Sequence, residues 1–166
     1  MKRLVPTAEM TLGPFFPREF AQGVNDLASG VANAIEITGR VTELDGKPLD
    51  NVILEIWQAD GAGRFDSKDF PGWGRAATDA RGEYRFRTIK PGALPGRAPH
   101  INFLILYSGL MRQLQTVMFF ENSADPVLQA VAQPRRARLV AHPVKPDSLR
   151  FDIRLRGGEE TPFFDD

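Results

Sequence analysis

The stretch IEITGRVTELDGKPLDNVILEIW, residues 35–57, decides the fold. Ile35, Ile37 and Val41 stand at mostly alternate positions, the period with which a strand turns side chains to one face. Leu44-Asp45-Gly46-Lys47-Pro48 then supplies turn chemistry, and residues 52–57 form a mostly apolar, β-rich run. Two such strands around an Asp-Gly turn predict an antiparallel pair.

The same grammar continues outward. Residues 59–63, ADGAG, end the second run, and residues 64–74 read as a loop rich in Gly, Asp and Phe. After the turn TDARG, residues 78–82, Tyr84, Phe86 and Thr88 alternate with Arg85 and Arg87 as a half-buried strand. Pro91, Gly92, Pro95, Gly96 and Pro99 stiffen the next connection, and residues 100–107 and 115–120 read as two more strands. Asp125-Pro126 offers a cap and a first-turn proline to one short helix over residues 127–132. Residues 149–155 close the series, with Phe151, Ile153 and Leu155 on one face and Asp152 and Arg154 on the other. About seven short strands between turn signals predict an all-β fold, an antiparallel β-sandwich with an irregular amino-terminal arm. We divide the chain into an arm, residues 1–34, which packs on the core and on a partner subunit, and a sandwich domain, residues 35–166.

Composition narrows the function. The 166 residues suit one domain, and 21 basic against 21 acidic side chains leave no electrostatic footprint for nucleic acid. Without cysteine there is no thiolate metal site or thiol nucleophile, which fits a reducing compartment. A metal would have to draw on carboxylates and on His100, His142, Tyr84 and Tyr107, a tight supply. No run reaches the ~18 apolar residues of a membrane helix, and Met1 to Phe16 lacks the apolar stretch of a signal peptide. The expectation is a cytoplasmic protein with no membrane contact.

Several segments, TLGPFFP, GRVTELDGKPLDNVILEIWQADGAGRF, GWGRAATDARGEYRFRTIKPG, RAPHINFLIL and RFDIRLRGGEETPFFDD, together resemble the intradiol ring-cleaving dioxygenases from Thr7 to Asp166 in outline. The order of TIKPG, APHI and RFDIR carries most of the weight. The resemblance implies a β-sandwich core with long loops. It also implies that catalytic chains hold a ferric ion with two Tyr and two His, since hard iron(III) favours anionic oxygen donors and its charge drives phenol deprotonation.

This chain departs from that ligand pattern. Where the family has H-x-H on one strand, it has His100-Ile101-Asn102, and Leu94 stands at a metal-binding Tyr position. Residues 64–74, which should bring the other Tyr, contain Phe65, Phe70 and Trp73 instead, and neither Tyr84 nor Tyr107 matches a ligand position. The expectation is therefore no metal in this chain, with His100 a vestigial, hydrogen-bonded residue and His142 a surface residue of a loop. The chain resembles the non-iron α chains of the family, whose homologous β chain binds Fe(III), with a small aromatic substrate and O2 meeting at the shared site. By the same resemblance Thr11, Gly13 and Pro14 belong to the substrate pocket. Arg97 keeps the spacing of an arginine that stabilises charge on the ring, although a structural salt bridge or an inter-chain contact is the plainer reading. Ser108 replaces an Arg and Phe15 a Tyr usual in such chains, with Arg18 or Arg112 available to compensate. A non-catalytic sandwich module, for scaffolding or binding, is the alternative from a different class.

Overall fold

The computed structural model describes residues 16–21 and 24–164. Nine strands form two sheets face to face, and their buried faces make an all-β sandwich. The strands are β1 Ile35–Thr42, β2 Ile53–Trp57, β3 Trp73–Ala77, β4 Glu83–Thr88, β5 His100–Leu106, β6 Leu114–Phe119, β7 His142–Lys145, β8 Ser148–Arg150 and β9 Ile153–Arg154. One sheet runs β4-β1-β8-β7 with β9 also on β1, and the other runs β3-β2-β5-β6.

The expected hairpin of β1 with β2 does not form: the two strands lie in opposite sheets. The Asp-Gly turn closes on itself, Glu43 N donating to Lys47 O (2.8 Å) and Leu49 N to Val41 O (3.1 Å). Asn51, at φ 56°, then redirects the chain, and Val52 N is taken up by the buried Thr78 hydroxyl at 2.9 Å. The cause lies in the apolar pattern. Val52, Ile53, Leu54 and Ile56 are all fully buried, so β2 needs cover on both faces and a central place between β3 and β5. β1, half polar, pairs instead with β4, placing Gly39 opposite Tyr84.

The closing run, residues 149–155, splits into β8 and β9, both parallel to β1 within an otherwise antiparallel architecture. Phe151 N donates to Thr38 O (2.8 Å) and Leu155 N to Thr42 O (2.9 Å) across the break. Gly39 permits this approach: a Cβ there would stand 1.9 Å from the Phe151 carbonyl oxygen and 2.6 Å from the Tyr84 hydroxyl. His142, expected in a loop, opens the exposed edge strand β7.

Between the sheets, Phe103 meets Tyr84, Phe86 and Phe151 at ring separations of 6.1, 6.2 and 5.2 Å, an aromatic knot that ties both sheets and the closing segment together. Outside the second sheet lies a smaller cluster of Val117, Phe119, Leu128 and Leu139. Its cover comes from α1 Pro126–Ala130, α2 Gln133–Arg136 and the 3-10 turn Ala137–Leu139. α1 has the expected Asp125 cap and leading proline, but α2 is additional. Pro134 has no N–H and its ring would meet the Ala130 carbonyl, so one continuous helix is impossible and the chain restarts. Among the described residues no helix is long and apolar enough to cross a membrane.

Candidate functional site

Two of the residues singled out by the sequence, His100 and Asn102, lie on the outer face of the β3-β2-β5-β6 sheet. Along β5, Ile101, Phe103 and Ile105 enter the core. His100 and Asn102 therefore share the opposite face, two residues apart. Asn102 sits between Trp57 of β2 and Val117 of β6, and Trp57 is in turn opposite Trp73. His100 sits opposite Phe119.

The two positions have different surroundings. His100 is 6% exposed, 6.0 Å from the Phe119 ring, and its Nδ1 lies 2.7 Å from the Ala98 carbonyl oxygen. A carbonyl only accepts, so Nδ1 carries the proton. Burial holds the imidazole below its usual pKa, with the Arg97 charge adding to that effect and the Ala98 bond and Asp125 opposing it. Asn102 is exposed, as is Trp57 at 50%, its ring 6.1 Å from that of Trp73.

The segment leading into β5 is fastened to the helical cover. Leu94-Pro95-Gly96-Arg97 is a tight turn with Gly96 at φ 73° and Arg97 N donating to Leu94 O at 3.0 Å. Arg97 Nε donates to Asp125 Oδ2 at 2.8 Å, and Ala98 N donates to the same oxygen at 2.9 Å. The other oxygen, Oδ1, caps α1 by accepting from Val127 N and Leu128 N. Burial raises the Asp125 pKa, but the Arg97 guanidinium and the Ala98 and Val127 amides outweigh it and hold the carboxyl below its ordinary value. The Asp-Pro signal identified a cap. That its second oxygen would hold Arg97 was not visible, because the partner lies 28 residues away.

On the other flank, Phe16–Phe20 of the arm reaches the same face. The Arg75 guanidinium stands 3.8 Å from the Phe20 ring centroid and 5.0 Å from that of Trp73. Its Nη1 donates to Phe20 O (3.0 Å) and its Nε to Glu55 Oε1 (2.9 Å). Asn51 Nδ2 donates to Phe16 O at 3.2 Å. Sequence reading missed this anchor, since nothing in the spacing of Phe20 and Arg75 links them. Thr11, Gly13, Pro14 and Phe15 lie outside the described residues. Ser108 is half-buried just after β5.

These residues do not fit a ferric ion. Leu94 offers hydrocarbon and Asn102 a neutral exposed amide, so His100, whose Nε2 lone pair remains available while Nδ1 bonds Ala98 O, has no second ligand at those positions. Tyr84 is in the core, its hydroxyl donating to the Phe151 carbonyl, and burial pushes its pKa well up, the reverse of what a metal-bound phenolate requires. Among the described residues no three His, Asp or Glu gather as a metal cluster.

Known proteins resemble this chain in sequence and in fold. The family described as "Dioxygenase" matches residues 18–157. The chain is 35% identical to the protocatechuate 3,4-dioxygenase alpha chain of Burkholderia cepacia, over 99% of this chain and 100% of that one. It is 38% identical to the beta chain from the same organism, over 77% of this chain and 66% of that one. The dioxygenase domain of a dioxygenase carbohydrate-binding protein fusion from Streptomyces sp. SirexAA-E superposes with a TM-score of 0.62 at 27% identity, covering 95% of this chain and 100% of that domain. The chain belongs to the intradiol dioxygenase family.

Proposed function

We propose that this chain is the non-iron α subunit of a protocatechuate 3,4-dioxygenase, working with a homologous β chain. In this reading the complex cleaves protocatechuate with O2 to 3-carboxy-cis,cis-muconate, both oxygen atoms entering the product. The Fe(III) is bound wholly by the β chain, and this chain supplies pocket wall, assembly and exclusion of water. The observation that carries the reading is the replacement of donors at the family's ligand positions, Leu94, Asn102 and residues 64–74, in a chain similar to an alpha chain along its whole length.

The arm, residues 1–34, is the part that reaches the partner, with Thr11, Gly13 and Pro14 lining its substrate pocket and residues 35–166 forming the sandwich. Support comes from the anchoring of Phe20 at Arg75, on the sheet face that also carries the exposed Trp57 and Asn102. Arg97 acts structurally, its Nε being engaged by Asp125. A cytoplasmic location belongs to the same proposal and fits the lack of cysteine.

Purification alone and after co-expression with the β chain tests the assignment. The isolated chain should carry no iron and consume no O2 with protocatechuate, whereas the complex should do both. Iron with turnover in the isolated chain overturns it. In the complex, Gly13→Trp should raise KM for protocatechuate; unchanged kinetics would favour the non-catalytic module.

A further inference from the structure

A cavity of about 250 Å³ opens beside the 3-10 turn Ala137–Leu139, between β7, β9 and the turn at residues 157–161. Its two carboxylates are already neutralised. Asp152 Oδ2 accepts from Arg150 Nε and Oδ1 from Arg40 N, both at 2.9 Å, and Glu159 pairs with Arg138 at 2.9 Å. Arg154 differs. It sits on the outward side of β9, half-buried, and its guanidinium has no hydrogen-bond or ion-pair partner among the described residues. It also lines a second cavity, of about 380 Å³, with Asp45, Arg156 and Glu159, so it forms part of the wall of both.

A second donor lines the first cavity. Thr161 is 2% exposed, and its hydroxyl oxygen accepts from Arg154 N at 2.9 Å. A hydroxyl carries a proton as well as lone pairs, and that proton has no acceptor among the described residues. A guanidinium fork and a hydroxyl donor lining one cavity match a carboxylate, which takes two parallel N–H bonds and one O–H bond. With Arg138 paired to Glu159 and Asp152 accepting from Arg150 outside the lining, Arg154 is the cation of this lining without a partner among the described residues, which suits a single carboxylate. Ala137 and Val140 add hydrocarbon to the lining, which suits an organic body better than an inorganic anion.

We propose that Arg154 and Thr161 form a binding site for a small organic monocarboxylate, its carboxylate on the guanidinium fork and its body against Val140. The inference uses neither the iron nor the arm and stands independently of the subunit assignment.

The test is a titration of the isotope-labelled full chain, alone and with its partner, with benzoate, benzamide and inorganic phosphate, read at the Arg154 Nε–Hε and Thr161 amide resonances. Benzoate should give saturable shifts at both. Benzamide should give none, and phosphate should bind more weakly. Arg154→Gln should weaken benzoate by about tenfold or more, the loss of one charge-assisted bond pair. Arg154→Lys, which keeps the charge without the fork, should fall between, and Arg81→Gln on the distant β3–β4 turn should change nothing. Equal binding of benzamide, absence of saturation, or an unaltered affinity in folded Arg154→Gln and Arg154→Lys overturns the site. A shift of Arg154 that needs the partner chain and not benzoate would assign the fork to a protein carboxylate and equally overturn it.

Discussion

His100 and Asn102 occupy the same face of the same strand, one pleat apart, and share almost nothing else. Around His100 the face is closed by α1, by the turn Ala137–Leu139 and by the Arg97–Asp125 pair, so the imidazole is buried and held neutral. Around Asn102 the face is open, with Trp57 half exposed and the arm anchored a strand away at Arg75. Side-chain alternation thus sets direction, whereas environment is set by what the rest of the chain lays on top. A family ligand pair that needs two equivalent neighbours has here become one structural residue and one surface residue.

Removing the fastener of the closed half should have the largest effect. Asp125→Ala deletes the Arg97 partner, the acceptor for Ala98 N and the cap of α1 together, and leaves donors buried. A loss of about 3–5 kcal/mol in urea unfolding is expected. A loss below about 1 kcal/mol, the value of an exposed pair, would mean that the closed half is not held this way.

Acidification should open the same half more gently. Because burial depresses the His100 pKa in the folded state, its neutral form is favoured there, while the unfolded chain takes up the proton at about pH 6.5. This contribution is complete above about pH 6.5 and is lost as pH falls through the folded pKa, with a slope of at most about 1.4 kcal/mol per pH unit. Urea midpoints between pH 7 and 5 should show that slope, and His100→Gln should remove it. An identical slope in the variant would place the titration elsewhere.

The smallest effect belongs to the open half. Asn102→His restores the family's H-x-H spelling at an exposed position, so stability should change by no more than about 0.5 kcal/mol. It should create no iron site, since Leu94 and residues 64–74 still lack a phenol. Iron bound by this variant, measured by metal analysis of the purified chain, would show that the open half retains ligands.

Much of the sandwich was legible because strand period and turn residues are local: β1, β4, β5, β6 and the Asp125 cap fall close to where alternation and the Asp-Pro pair put them. The partner of β1 was not, since a turn sequence fixes a reversal but not which sheet receives the next strand. The full burial of Val52, Ile53, Leu54 and Ile56 decided that. β3, β7 and α2 were missed because Trp73 and Gly74 read as the end of a loop, β7 has no apolar alternation and α2 is only four residues around Pro134. At the site, the pairing of Arg97 with Asp125 and of Arg75 with Phe20 could not be read, because the partners lie far apart in the chain.

By itself, then, the sequence determined that no tyrosine stands at Leu94 or in residues 64–74 and no histidine at Asn102, because ligand chemistry is a property of residue type. Tertiary structure alone decided that His100 would be sealed while Asn102 stays open, and that Arg97 would be held while Arg154 finds no partner among the described residues. Burial and ion pairing depend on which distant segments meet, and no spacing along the chain encodes that.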